Sequence, residues 1–169
     1  GCGYIFGPQT PQLERANFTS TLAAGGDIGE PFGIAYRDGS IYFSDGLHDR
    51  ISRVSADGTV SIFASGLSTP SGIAFAPNGD LIVADTGSHT IKAVTAAGDV
   101  VTLAGADGQR GDAVGPAAEA RFNGPIGISV RPDGAIVVSD SYNDKIKIIN
   151  DGSVAVLAGT QRGFRDGTA

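Results

Sequence analysis

Leu81-Ile82-Val83-Ala84-Asp85-Thr86-Gly87-Ser88-His89-Thr90-Ile91 is a β-favouring run that closes on a small residue and an aspartate, followed by a short polar loop and an isoleucine. The same order of residue types occurs twice more. Ile41-Tyr42-Phe43-Ser44 runs into Asp45 and reaches Ile51, and Ile136-Val137-Val138-Ser139 runs into Asp140 and reaches Ile146. Self-similarity of this kind outranks local propensity as a guide to fold, because each copy must be one structural unit.

Each copy extends in both directions. Upstream lies a turn pair, Asp38-Gly39, Asn78-Gly79 or Asp133-Gly134, whose chemistry suits the positive φ values of a tight hairpin. Before that turn comes Pro31-Phe32-Gly33-Ile34-Ala35, Pro70-Ser71-Gly72-Ile73-Ala74 or Pro125-Ile126-Gly127-Ile128-Ser129. Downstream a second turn, at Asp57-Gly58, Ala97-Gly98 or Asp151-Gly152, leads into the runs VSIFASG, VVTLAG and VAVLAG. Every unit therefore predicts four short antiparallel strands. Asp45 and Asp85 stand 40 residues apart and Asp85 and Asp140 stand 55 apart; the excess is an insertion, GADGQRGDAVGPAAEARF, at 105–122.

Four-stranded units of about 40 residues point to an all-β chain of propeller blades, whose sheets stack face to face around an axis. The pattern P-x-G-I-A, turn, I-Y-F-S-D, loop, I resembles the NHL repeat, with Ala84 to Ile91 its best copy, and the resemblance covers residues 30–159. The insertion also resembles the linkers between blades of bacterial NHL proteins, and single repeats are similar to those of gluconolactonase-like propellers. Rings of the NHL type commonly carry six blades, so the resemblance implies that about three blades of a larger ring are present. The expected organisation is a tether at 1–17, an outer strand of a preceding or closing blade with its linker at 18–29, and blades at 30–68, 69–122 and 123–159. Residues 160–169 begin another copy of the linker. The outermost blade faces should be apolar and need the rest of the ring or a second copy to cover them.

Composition narrows the functional classes. The 169 residues include 26 glycines and 8 prolines, which suits many turns, and the net charge of −6 comes without a basic cluster. Nucleic-acid binding, which rests on phosphate neutralisation, is argued against. No apolar run reaches the roughly 20 residues of a membrane-spanning helix. Cys2 is the one cysteine, so no internal disulfide forms; Gly1-Cys2 fits the end of a bacterial lipoprotein signal, making Cys2 a candidate lipidation site and an extracytoplasmic location, periplasmic or cell surface, the expectation.

Among residues that could carry chemistry, Asp45, Asp85 and Asp140 recur in every unit. They could form a ring of carboxylates for cations, but an acid needed by every blade reads better as a builder that accepts loop N–H groups. His48 and His89 lie in the corresponding loops of successive units; two histidines fall short of the three protein ligands of a catalytic zinc, against an amidating-lyase type of site. Glu30 and Asn123 precede the first strands of their units. The resemblance to gluconolactonases makes them candidate ligands for Ca²⁺ or another divalent cation in the channel, with Ser68 or Thr69 the weak donor between them. Arg110-Gly111-Asp112 spells an adhesion tripeptide in the glycine-rich insertion. No phosphate-binding loop or nucleophile elbow is present. The expected function is an extracytoplasmic scaffold that binds a protein or small-molecule ligand; the alternative is a metal-dependent hydrolase or lyase with its site in the channel.

Overall fold

The computed structural model of the chain describes residues 27–159, so Cys2, the tether, the strand expected at 18–24 and the linker start at 160–169 lie outside the described residues. The described chain is nearly all β. β1 (Pro31–Arg37), β2 (Ser40–Asp45), β3 (Arg50–Val54) and β4 (Val60–Ser65) form one antiparallel sheet, and β5 (Pro70–Phe75), β6 (Leu81–Asp85), β7 (Thr90–Val94) and β8 (Val100–Ala104) form the second. The third holds β10 (Pro125–Val130), β11 (Ile136–Asp140), β12 (Lys145–Asn150) and β13 (Ser153–Ala158), with the two-residue β9 (Gly115–Pro116) added beyond β13. These are three propeller blades in an open, partial ring.

The repeat recurs down to its irregularities. In each blade the first pair of strands slips register across the P-x-G segment, between Pro31 and Ile34, Pro70 and Ile73, and Pro125 and Ile128. A second slip follows Ile51, Ile91 and Ile146. Bulges bend and twist a strand locally, and repeating them gives each sheet the same shape. The reason for glycine in P-x-G is contact between blades. A Cβ on Gly33 would sit 2.4 Å from the Ser71 carbonyl oxygen, and one on Gly72 would sit 2.3 Å from that of Ile126. The inner strands β1, β5 and β10 thus approach backbone to backbone around the axis.

The turns divide more finely than the Asp-Gly pattern implies. Asp38-Gly39 and Asp151-Gly152 are two-residue turns with positive φ at both positions. At Asn78-Gly79 and Asp133-Gly134 only the glycine has positive φ, because the loops from Ala76 to Asp80 and from Arg131 to Ala135 are longer and close on backbone bonds between those end residues.

Alternation along each strand sends side chains to the two neighbouring blades. Leu81, Val83 and Val94 pack toward the first blade with Ile51, Ala64 and Ile73; Ile82, Ala84 and Ile91 pack toward the third with Ile136 and Val138. The insertion joins the second of these cores. Ala120 and Phe122 are buried in it, and Gly115–Pro116 pairs with Val154 and Ser153 on the outer edge of the third blade. An edge is where a sheet tolerates proline.

Candidate functional site

The loops from β2 to β3, β6 to β7 and β11 to β12 share one face of the propeller with the segments that lead into each blade. The register sets this: Pro31 lies opposite Asp45, Pro70 opposite Asp85 and Pro125 opposite Asp140. The three aspartates are completely buried and organise this face on one plan. Each accepts backbone N–H groups just before the inner strand: Gly29 and Glu30 at 3.2 Å on Asp45, Ser68 at 2.6 Å on Asp85, Asn123 at 2.7 Å on Asp140. Each meets the side chain three residues on, with His48 Nδ1 at 2.8 Å from Asp45, Ser88 Oγ donating at 2.6 Å to Asp85 and Asn143 Nδ2 donating at 2.7 Å to Asp140.

Each aspartate also pairs with a cation. A guanidinium nitrogen of Arg50 lies 3.2 Å from Asp45, Lys92 Nζ 3.0 Å from Asp85, and Lys147 Nζ 2.7 Å from Asp140. A second acid completes each network: Asp27 beside Arg50, Asp107 at 3.0 Å from Lys92, and Asp112 at 3.1 Å from Lys147 and also on Lys145. Burial opposes ionisation of Asp45, yet the hydrogen bonds of His48 and the Gly29 N–H, with the charges of His48 and Arg50, hold its carboxyl below the ordinary range. Burial likewise opposes the charge on Asp112, and Lys145 and Lys147 outweigh it, so its pKa is lowered. Burial disfavours the Lys92 ammonium, but Asp85 and Asp107 more than compensate and raise its pKa.

The acids tie the loop, the inner strand and the second hairpin of one blade together. His48 holds Asp45 within its own blade, whereas His89 accepts the Gly124 N–H at 3.1 Å and so fastens its loop to the next blade's approach segment. Ser44 Oγ donates to the Ser71 carbonyl at 2.6 Å, and Thr86 Oγ1 to that of Pro125 at 2.6 Å, adding further ties between blades. Asp112 of the Arg110-Gly111-Asp112 tripeptide pairs with Lys147 on the third blade, the Gly111 carbonyl accepts Asn143 Nδ2 at 2.7 Å, and Arg110 is exposed.

The cationic partners escaped the sequence reading, although their signal is present: arginine five residues after Asp45, and lysine seven after Asp85 and Asp140. Glu30 and Asn123 each give a backbone N–H to the blade's aspartate and a carbonyl to the loop beyond, at Gly46 and Tyr142, but they are offset by one residue, Glu30 directly preceding Pro31 and Asn123 standing two before Pro125. Glu30 is exposed and Asn123 half-buried. Calcium takes about six to eight oxygens. One carboxylate and one amide from blades separated by a third do not supply them, and among the described residues no group of three or more His, Cys, Asp or Glu side chains could hold a metal ion. No helix among them is long and apolar enough to cross a membrane.

The face also presents apolar side chains. Leu47 and Tyr142, each two residues beyond its blade's aspartate, are 64% and 60% exposed, and Gly87 takes that place in the middle blade. The opposite face is made of the hairpin turns.

Residues 67–94 match the NHL repeat family. No curated protein sequence matches the chain. Among solved structures the chain is similar to a structural-genomics protein from Bacteroides thetaiotaomicron, with 22% identity and a TM-score of 0.69, covering 79% of this chain and 36% of that one. It is similar to a gluconolactonase from Xanthomonas campestris, with 21% identity and a TM-score of 0.65, over 78% of this chain and 48% of that one. An auxiliary nutrient binding protein from Bacteroides ovatus gives 20% identity and a TM-score of 0.65, over 76% and 36%. The chain thus spans between 36% and 48% of the length of these structures. Repeat, register and likeness agree on the fold: the described residues form three blades of a β-propeller, and residues 67–94 among them match the NHL repeat.

Proposed function

We propose that the chain is part of an extracytoplasmic binding propeller that engages a small-molecule or protein ligand on its aspartate face. The observation that carries this reading is the exposure of Leu47 and Tyr142 at matching loop positions, above acids that are already committed to backbone N–H groups and cations. A large apolar or aromatic side chain on a loop held by a rigid scaffold is the usual raw material of recognition. The similar nutrient binding protein from Bacteroides ovatus supports a ligand-binding role for a propeller of this kind, and the extracytoplasmic setting rests on Gly1-Cys2 alone. Lipid anchoring through Cys2 belongs to the same proposal.

A second reading is a metal-dependent hydrolase acting on lactones or esters. The like backbone bonding of Glu30 and Asn123 before the inner strands favours it, with the likeness to the Xanthomonas campestris gluconolactonase, and residues from the remainder of the ring would have to complete the ion's ligands. Metal analysis of the full-length protein, followed by turnover of simple lactones with and without chelator, separates the two. The binding propeller predicts neither stoichiometric metal nor chelator-sensitive turnover, and finding both would overturn it.

A further inference from the structure

The two interfaces between blades follow one plan but are filled differently at the end where the hairpin turns lie. At the first interface the Tyr42 ring meets Phe63 at 5.0 Å and Phe75 at 5.1 Å, both edge to face. The Arg37 guanidinium lies 5.1 Å from the centre of the Phe75 ring, and that of Arg53 lies 5.9 Å from Tyr42. Register identifies the counterparts one blade on. Tyr42 and Arg53 are cross-strand partners, as are Ile82 and Ala93. Phe63 lies at the register slip of β3 and β4, as Leu103 does at that of β7 and β8, and Ala76 follows Pro70 at the distance that Arg37 follows Pro31.

All four counterparts are smaller, and the space is not refilled. A cavity of about 400 Å³ opens between the second and third blades, against about 260 Å³ at the first interface. Ile82, Ala93, Leu103 and Ile136 make its apolar wall, and Asn78, Asp80 and Asp133 stand at its mouth. The volume is within the range of about 300–1,000 Å³ typical of small-molecule sites, and an apolar wall with a few polar groups is their usual make-up. Asp133 is met by Arg131 at 2.8 Å, while the Asp80 carboxylate, among the described residues, receives the neutral Asn78 amide at 2.8 Å. Asp80 also lines the first-interface cavity with Arg37 but forms no ion pair among the described residues, so its carboxylate can still take a charge-assisted hydrogen bond, stronger than the neutral one.

We propose that this cavity, on the turn face and separate from the aspartate face, binds a small amphiphilic cation: an apolar ring or branched chain bearing a protonated amine. The apolar body lies against Ile82, Leu103 and Ile136, and the ammonium is held by Asp80. The test uses methyl-labelled full-length protein titrated with benzylamine, and in parallel with benzoate and benzyl alcohol, which share the ring but carry the opposite charge or none. Benzylamine should shift the Ile82, Leu103 and Ile136 methyl signals saturably, with benzoate about tenfold weaker or more. Ala76→Arg combined with Leu103→Phe restores residues that the first interface already accommodates, and it should abolish the shifts. Asp80→Asn, at a half-buried turn position, should weaken benzylamine by about tenfold while leaving benzyl alcohol unchanged. Absence of saturable shifts at these methyls, equal affinity for benzoate, or benzylamine binding undiminished in both variants would each overturn the proposal.

Discussion

The middle blade and its two neighbours have nearly interchangeable strand sequences and very different surroundings. Every residue of β6 and β7 is buried, whereas β11 and β12 alternate between buried and more exposed positions. The isoleucine six residues after the aspartate makes the point alone: Ile51 and Ile91 are completely buried, and Ile146 is 36% exposed. Each sends its side chain toward the next blade, and only the third blade lacks one among the described residues. On the other side Phe32 and Ile34 of the first blade are 58% and 71% exposed. Burial in this architecture therefore belongs to the interface between blades and not to the blade, which is why a single unit cannot hold its own core.

Removing a cation from the aspartate networks is the largest expected break in the equivalence of the blades. Lys147 is completely buried, with its Nζ 2.7 Å from Asp140, 2.8 Å from the Arg121 carbonyl and 5.0 Å from the centre of the Phe122 ring. Lys147→Met leaves a completely buried carboxylate without its cation, held only by the Asn123 N–H and Asn143 Nδ2, and should cost about 3–5 kcal/mol in urea unfolding. Arg50→Met leaves Asp45 with His48 and two backbone donors and should cost about half as much or less, nearer the value of one charged hydrogen bond. Equal losses would mean that these two networks are energetically alike despite their different partners.

The inner glycines give the next largest contrast. Gly72→Ala drives a methyl into the Ile126 carbonyl and the Ile128 N–H, backbone atoms that cannot yield unless the blades part, at an expected cost of about 3 kcal/mol. At Gly127 the added methyl meets Ser139 Oγ at 2.8 Å, a side chain that can turn aside by giving up its bond to the Gly127 N–H, at a cost of about 1 kcal/mol. Thermal unfolding of the two variants compares an occupied interface with an open one. Comparable damage at Gly127 would show that something covers the third blade's outer face.

What could be read from the chain beforehand follows the same division between units and interfaces. The strands of each blade were legible because alternation, the Asp-Gly turns and the P-x-G segments are local and repeat three times. The recurrence of Asp45, Asp85 and Asp140 at one place in each unit was legible for the same reason. Arg50, Lys92 and Lys147 were not, because their meaning depends on knowing that the second and third strands pair so that Asp85 faces Thr90, which brings Lys92 alongside. The strand at Gly115–Pro116 was hidden further still, since neither residue favours a strand and only the exposed edge of β13 gives them a partner. Phe122 looked like the end of a loop, and its burial comes from two blades that meet over it.

Titration gives the smallest effect and separates the blades by the sign of their response. Asp45 in the first blade and Asp112 on the third have folded-state pKa values below their unfolded ones, so the stability they contribute is present above the unfolded value of about 3.9 and is lost as pH falls through the folded value. Lys92 in the middle blade is raised above its unfolded value of about 10.4, so its contribution is complete below that pH and disappears as pH rises through the folded value. Unfolding midpoints measured against pH should therefore show an acid limb flattened by Asp112→Asn and an alkaline limb flattened by Lys92→Met, with neither variant altering the slope of the other limb. Asp112 is partly exposed, so its limb should also shrink as salt is added, while that of the nearly buried Lys92 should persist. If both limbs respond to either variant, the networks are coupled through the shared strands and the blades do not titrate as separate units.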